Sequence, residues 1–146
     1  MQTLLYVLLF LFTIVAMEVV AWATHKYLMH GPLWVLHRDH HKKTKGFFEW
    51  NDLFAVFFSA VAVVFMVIGI PEMNAWFWIG AGITVYGGLY FLMHDVVVHQ
   101  RLRILRHVNF SYFKAVRKAH FKHHSCAEKN GATSFGFLWV SRRYFS

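Results

Sequence analysis

Three apolar stretches dominate the pattern of hydrophobic and polar positions along this chain of 146 residues. Residues 3–24 form an apolar stretch broken only by Glu18, and residues 53–70 and 75–93 form two further apolar stretches. A helix of ~20 apolar residues is long enough to cross the hydrocarbon core of a bilayer. The pattern therefore predicts an all-α membrane protein with three transmembrane helices, built as one domain over residues 1–146.

The polar residues between the second and third stretches predict how these two helices are connected. Asn51 and Asp52 precede the second stretch and are candidate N-caps. Pro71 ends it, and only residues 71–74 separate it from the third stretch. So short a connection predicts that the second and third helices form a tight antiparallel hairpin.

The remaining segments, the loop 25–52 and the tail 94–146, contain most of the polar residues and predict a helical cap rich in histidine. They contain no further apolar stretch of full membrane length, although a fourth, kinked or re-entrant element in the tail stays open. A cleaved signal peptide is a competing interpretation of residues 3–24. It is disfavoured because the stretch has no basic residues before it and no small-residue cleavage site after it.

Charge is distributed unevenly and predicts the orientation. The formal net charge is +8, and all fifteen Lys and Arg residues fall in residues 26–45 and 101–143. Three spans place both basic blocks on one side of the membrane, which the positive-inside rule makes the cytoplasmic side. The hydrophobic content of 58% argues against an ordinary soluble domain. The single cysteine, Cys126, excludes an intrachain disulfide.

Ten of the eleven histidines fall in two repeated motifs, all on this same predicted side. The spacing H-x4-H occurs at His25/His30 and His94/His99, and the spacing H-x2-H-H occurs at His37/His40/His41 and His120/His123/His124. Helix positions i, i+3 and i+4 share a face, so each H-x2-H-H motif can direct three imidazoles to one place. Positions i and i+5 lie ~140° apart at ~3.6 residues per turn. Either the helix unwinds or bulges there, or the two rings of each pair serve different metals.

The tail predicts an amphipathic helix that supports a shared site. Lys114, Lys118 and Lys122 recur every four residues on one face, while the H-x2-H-H histidines lie with apolar residues on the other. A solvated histidine tract would not coincide with an apolar face. The motif histidines therefore predict a metal site, and their number exceeds what one ion binds, so two metals are expected. Imidazole suits iron, zinc, copper and nickel. His107 lies outside both motifs and is expected at the surface.

The histidine motifs and the sequences around them resemble a known family, the bacterial β-carotene 3-hydroxylases of the membrane fatty acid hydroxylase superfamily. The resemblance covers nearly the whole chain. The four histidine motifs resemble the superfamily as a whole, and the flanking sequences narrow it to carotenoid hydroxylation. The segments that carry it are MEVVAWATHKYLMHG (17–31), HRDHH (37–41), NDLFAV (51–56), IGAGITVYGGLYFLMHDVVVHQR (79–101), AHFKHH (119–124) and SFGFLWV (134–140).

The resemblance implies a non-haem di-iron centre that uses O2 to hydroxylate C3 of a β-ionone ring, so that β-carotene becomes β-cryptoxanthin and then zeaxanthin. It implies a location in the bacterial inner membrane, with zinc able to replace iron in a purified sample. The implied metal ligands are the ten motif histidines: His25, His30, His37, His40, His41, His94, His99, His120, His123 and His124.

Two acidic residues are candidates for supporting roles. Glu18 lies seven residues before His25 on the same helix face, and an intramembrane carboxyl is a functional candidate by default. A second-shell or proton-transfer role is favoured over a helix-packing hydrogen bond. Asp95 lies four residues before His99 and could hold the second nitrogen of that ring. A simple interfacial acid is its alternative.

The expected partners are the bilayer, a carotenoid and an electron donor, and no nucleic acid is expected. The chain has no flavin or dinucleotide motif, so electrons must come from an external protein. An acidic, ferredoxin-like donor would suit the basic residues of the tail, namely Arg101, Arg103, Arg106, Lys114, Lys118 and Lys122.

Other functions remain open on the sequence alone. A sterol or fatty-acyl hydroxylase or desaturase would use the same metal centre. Metal transport is disfavoured because it requires polar ligands along the membrane path, whereas the histidines stop at one face and the three stretches contain only Glu18 as a charged residue.

Overall fold

The structure is a computed structural model that describes residues 1–42 and 46–145. Residues 43–45, which belong to the first basic block, and residue 146 lie outside the described residues. The α-helices, in chain order, are α1 (Gln2–Ala23), α2 (Trp34–His37), α3 (Asp52–Gly69), α4 (Ala75–Phe91) and α5 (Ser111–His124). The 3-10 turns are Ile70–Glu72, Arg103–Leu105 and Arg142–Tyr144.

Helices α1 and α4 each continue into a π-helical turn. Thr24–Met29 extends α1, and Leu92–Val98 extends α4. With these extensions, the described residues contain three helices that are long and apolar enough to cross a membrane: Gln2–Met29, Asp52–Glu72 and Ala75–Val98. The all-helical fold and the three predicted spans are confirmed, and the described residues contain no fourth helix of this kind.

Helix α4 lies between α1 and α3 because glycines let it approach both helices closely. A Cβ atom on Gly80 would lie 2.7 Å from the carbonyl oxygen of Ala62 in α3. A Cβ atom on Gly82 would lie 2.7 Å from the Cβ of Thr13 in α1. Small residues at such contacts are how membrane helices gain close packing. The core of the three-helix body is Met17, Ala62, Ile83 and Tyr86.

The predicted hairpin between α3 and α4 is present. The side-chain Oδ1 of Asn74 accepts a hydrogen bond from the backbone N–H of Trp76 at 3.0 Å and caps α4. Asn51 precedes α3 as predicted, but its side chain makes no cap hydrogen bond. Its Oδ1 instead accepts a hydrogen bond from the ring of His37. Asp52 accepts from the backbone N–H of Glu49 at 3.0 Å.

The cap consists of α2, α5 and a long irregular segment. Helix α5 packs against the π turn of α4 through Val116, which belongs to one buried hydrophobic cluster with Met93, Val97 and Val98. Its lysine stripe is exposed, and its histidine face is turned inward, as the amphipathic pattern predicts. The whole of residues 125–141 is described and contains neither helix nor strand, so the predicted helical cap is helical only in part.

Candidate metal centre

The two π turns decide how the H-x4-H pairs are used. In the first turn the N–H of His30 donates to the carbonyl of His25 at 3.0 Å, and in the second the N–H of His99 donates to that of His94 at 2.9 Å. A hydrogen bond from residue i+5 to residue i stacks the two residues on one side of the helix. Each pair therefore points into one cluster, and the bulged alternative from the sequence is the one observed.

Nine of the ten motif histidines form two clusters. The five-histidine cluster contains His25, His30, His37, His41 and His123, and the four-histidine cluster contains His40, His94, His99 and His120. Within each cluster the candidate ligand atoms all lie within 4.8 Å of one another. Each cluster draws on three separate parts of the chain, so neither exists before the cap has folded onto the helices.

The imidazoles of the five-histidine cluster meet through their Nε2 atoms. The Nε2 of His37 lies 3.1 Å from that of His25 and 3.2 Å from that of His41. The Nε2 of His123 lies 3.1 Å from that of His41 and 3.2 Å from that of His30. The side chains are withdrawn from solvent, and His123 is fully buried.

The other ring nitrogen, Nδ1, of every histidine in this cluster faces a hydrogen-bond acceptor. Four of the acceptors are backbone carbonyls of residues 126–135, which we call the carbonyl segment. His41 donates to Cys126 at 2.9 Å, His30 to Lys129 at 2.9 Å, His123 to Thr133 at 3.0 Å and His25 to Phe135 at 3.0 Å. His37 donates to Asn51 Oδ1 at 2.7 Å.

The hydrogen bonds at Nδ1 determine which ring nitrogens of the cluster are free to bind a metal. A neutral imidazole carries one N–H and one lone pair. Because each Nδ1 must donate its hydrogen to an oxygen, each Nε2 presents a lone pair, and five lone pairs converge without a donor between them. Lone pairs at such short separations repel one another unless they share a cation. The donor set therefore fits a metal ion of the kind that imidazole binds, and a ring held by its second nitrogen is the usual arrangement of metal-ligating histidine.

Burial keeps the histidines outside the membrane spans in their neutral, ligating form. Desolvation lowers the pKa of His37 and His123 to about 3, and neighbouring imidazoles add to this effect. Desolvation also lowers the pKa of His41 to about 4. Metal ligation requires the unprotonated ring, so these histidines need not lose a proton near neutral pH before they bind a metal.

The four-histidine cluster has the same Nε2 convergence but different outer contacts. The Nε2 atoms of His40 and His94 lie 3.0 Å apart, and those of His99 and His120 lie 2.8 Å apart. The Nδ1 of His40 donates to the carboxylate of Glu49 at 2.7 Å. A carboxylate therefore supports His40, where backbone carbonyls support most rings of the other cluster.

His124, the tenth motif histidine, lies beside both clusters. Its ring centroid is 4.5 Å from that of His120, 4.7 Å from that of His40 and 4.4 Å from that of His41. Its Nε2 is buried and has no hydrogen-bond partner. Desolvation lowers its pKa to about 2. An unpartnered, neutral and buried ring nitrogen next to the four-histidine cluster fits a fifth ligand of that cluster.

Asp95 and Arg101 do not lie where the sequence interpretation placed them. Asp95 was a candidate partner of His99, with a simple interfacial acid as the alternative, but its Oδ2 lies 3.4 Å from the Nδ1 of His94. Arg101 was expected at a docking surface, but its guanidinium pairs with three carboxylates. These are Glu49 at 2.8 Å, Asp52 at 2.8 Å and Asp95 at 3.1 Å. Arg101 thus links the carboxylates next to the four-histidine cluster, and its guanidinium is engaged there rather than at a docking surface.

The hydrogen bonds of Glu18 go to backbone N–H groups and to a tyrosine hydroxyl. Its Oε1 accepts three backbone hydrogen bonds at 3.0 Å, from the N–H groups of Phe137, Leu138 and Trp139. Its Oε2 accepts from the hydroxyl of Tyr86 at 2.9 Å. Glu18 thereby ties α1 and α4 to the chain immediately after the carbonyl segment, so its contact with the metal centre is indirect.

The other sequence candidates lie on the surface. Lys114, Lys118 and Lys122 are exposed along α5, and Arg103 and Arg106 are exposed near the 3-10 turn before it. His107 is exposed and belongs to neither cluster. The sequence interpretation missed Glu49 and Asn51 as partners of histidine rings. Their place in the loop between the HRDHH motif and the second span was the only signal for them.

Comparisons with known proteins agree with this site. The family model described as fatty acid hydroxylase matches residues 10–142. The beta-carotene hydroxylase of Pantoea ananas is 45% identical over 88% of this chain and 73% of its own length. That of Pseudescherichia vulneris is 43% identical over 92% of this chain and 77% of its own. That of a Paracoccus species, strain PC1, is 36% identical over 88% of this chain and 80% of its own.

No solved structure is significantly similar to the chain. The family match nevertheless extends from the first span to the end of the cap and includes every histidine of both clusters. The resemblance noted in the sequence is thereby confirmed. The chain belongs to the fatty acid hydroxylase family.

Proposed function

We propose that the protein is a membrane-bound β-carotene 3-hydroxylase that uses O2 to convert β-carotene through β-cryptoxanthin to zeaxanthin. The observation that carries this proposal is the pair of histidine clusters at the end of three apolar helices, in a chain 45% identical to a beta-carotene hydroxylase. The spans supply an apolar route for a lipid-soluble substrate, and the clusters supply the ligands for metal chemistry.

Two iron ions are the proposed cofactors. The five-histidine cluster would hold one, and the four-histidine cluster together with His124 would hold the other. Bound iron supplies the activation of O2 that cleavage of an unactivated ring C–H bond requires. Zinc also binds imidazole and is expected to replace iron in part when the protein is overproduced.

The protein's own residues orient the rings and exclude water. Each Nδ1–H contact in the five-histidine cluster fixes the direction of its Nε2 lone pair before a metal arrives, which is how second contacts tune a metal site. Phe137 stacks on the ring of His25 with centroids 5.1 Å apart and lies 5.5 Å from that of His94. This side chain therefore packs against one ring of each cluster.

The overall reaction sets what the partner must deliver. One oxygen atom of O2 enters the new C–OH group, and the other leaves as water with two electrons and two protons. We propose that an acidic, ferredoxin-like protein delivers the electrons on the cytoplasmic side. The docking residues would be Lys114, Lys118, Lys122, Arg103 and Arg106, whose side chains are exposed.

Expression in cells that accumulate β-carotene tests the proposed function most directly. We expect a monohydroxylated product first and a dihydroxylated product later, since each ring is a separate substrate. Pigment extraction and chromatography over time would follow both. Hydroxylated sterols or fatty acyl chains with unchanged β-carotene would instead point to another substrate of the fatty acid hydroxylase family.

Charge reversal on α5 tests the docking surface. We expect Lys114→Glu combined with Lys122→Glu to raise the KM for an acidic donor, with the number of bound metals unchanged. Salt should also weaken docking in the unmodified protein, because the Debye length falls from ~10 Å at 0.1 M to ~3 Å at 1 M. Turnover would be measured against donor concentration at several salt concentrations.

Lys26→Glu provides the control, since Lys26 is exposed, is not part of α5 and lies over the rings of Trp22 and Tyr27. It should leave the KM for the donor close to its original value. A KM that responds neither to salt nor to the paired reversal on α5 would rule out this docking surface.

A further inference from the structure

A cavity of about 410 Å³ lies between the three membrane helices, on the membrane side of the histidine clusters. Its walls come from α1, α3 and α4 and are mostly apolar, including Met17, Phe58 and Ile83. At one end it is lined by His94 of the four-histidine cluster and by Phe137. The cavity is therefore continuous with the part of the centre that His94 occupies.

Part of the cavity wall between α3 and α4 is formed by residues with little or no side chain. Gly87 and Gly88 of α4 line the cavity and are exposed, and a Cβ atom added to either would meet no other atom within 4 Å. Ala55 and Ser59 of α3 line it as well and are also exposed. Since these helices cross the apolar core of the bilayer, an opening here faces lipid chains rather than water.

Distance along the helix connects this opening with the histidines. Gly87 lies seven residues before His94, with Tyr90 between them on the same face. Two helical turns correspond to ~10 Å at ~1.5 Å per residue. A ring that enters beside Gly87 can thus reach His94 without leaving the apolar cavity.

The size of the cavity limits what it can enclose. Pockets of roughly 300–1,000 Å³ enclose drug-sized ligands, and this one lies near the lower end of that range. A carotene molecule is about as long as the hydrocarbon core of a bilayer is thick, ~30 Å. The cavity therefore has room for one cyclic end group and the adjoining polyene, while the remainder of the molecule must stay outside.

We propose that this cavity takes up one cyclic end group of a carotenoid sideways from the bilayer, through an opening bordered by Gly87 and Gly88, and places that ring beside His94. The inference rests on the proposed function and adds the route and the mode of binding. The second ring lies in lipid during the first hydroxylation, so the monohydroxylated carotenoid must leave and re-enter by its other end.

Phenylalanine in place of either glycine tests the opening. We expect Gly87→Phe and Gly88→Phe each to lower both retention of β-carotene by the purified protein and its hydroxylation by roughly tenfold or more, since misplacement of a reacting group by ~1 Å can cost 10²-fold. The number of bound metals should not change. Gly87→Ala and Gly88→Ala should retain activity, because a methyl group leaves the opening free and favours the helix.

Val85→Phe is the matched control, because Val85 lies on the same helix, is 42% exposed and does not line the cavity. It adds similar bulk to a surface that faces lipid and should leave binding and turnover unchanged. A carotenoid that carries a sugar on one ring provides a second test. Its free ring should still be hydroxylated, since the modified end stays outside the cavity.

The binding and turnover measurements distinguish the two hypotheses. If the unmodified protein retains β-carotene but does not hydroxylate it, and the phenylalanine variants abolish this retention, the role of the cavity is supported. The same result would contradict the proposed function. Alternatively, the unmodified protein hydroxylates β-carotene while the phenylalanine variants bind and turn over like Val85→Phe. That result would overturn the proposed role of the cavity. Loss of bound metal in Gly87→Phe and Gly88→Phe, with the alanine variants as active as Val85→Phe, would also count against it.

Discussion

Alanine in place of His124 is expected to lower bound metal and to reduce β-carotene hydroxylation to background. The Nε2 of His124 is buried without a partner, so the change removes a candidate ligand and disrupts no hydrogen bond of that atom. Loss of a contact that merely orients a ligand typically reduces activity or affinity by ~10–100-fold, and loss of a ligand should exceed that. His40→Ala and His41→Ala should behave alike, one for each cluster.

His107→Ala is the control of the same residue type, since His107 is exposed on the same side of the protein. It should retain full activity and full metal content. Metal per chain would be measured by elemental analysis on the samples used for turnover, so that zinc substitution is not mistaken for an active centre. The unmodified protein should approach two metals per chain, and full activity with one metal would contradict the assignment of two sites.

The transmembrane helices could be predicted from the sequence because their signal is local. The apolar runs indicated the number of spans. Pro71 and Asn74, at the two ends of a short connection, indicated the hairpin. The helices extend beyond the predicted spans at His25 and at His94, since each apolar stretch continues into a π turn. The H-x4-H spacing alone did not show whether both histidines of a pair bind one metal, by means of such a turn, or bind different metals.

The residues that hold the histidine rings could not be predicted, because most of the contacts are made by the backbone. Every residue carries a carbonyl group, so no residue type marks Thr133 or Phe135 as an acceptor. Only the path of the irregular chain after α5 brings those carbonyls to His123 and His25. Arg101 was misjudged for a related reason, since its three carboxylate partners come together only when α3 and the end of α4 are adjacent.

Glu18→Ala is expected to release the carbonyl segment and to empty the five-histidine cluster in preference to the other. The change leaves the N–H groups of Phe137, Leu138 and Trp139 without their acceptor, and a buried donor without a partner costs ~1–3 kcal/mol. The four-histidine cluster is held instead by Glu49 and Asp95. Hydrogen exchange of the amides in residues 126–140, together with metal per chain, would measure both effects.

Glu18→Gln separates this anchoring role from the proton-transfer role that the sequence left open. Glutamine keeps a carbonyl oxygen for the three N–H groups and has an N–H group for the Tyr86 hydroxyl, but it does not exchange a proton near neutral pH. We therefore expect Glu18→Gln to retain most of the metal and the activity that Glu18→Ala loses. Glu72→Ala is the control, since Glu72 is exposed in the turn between α3 and α4. If Glu18→Gln binds both metals but is as inactive as Glu18→Ala, Glu18 transfers a proton, because the anchor would then be intact while the reaction had failed.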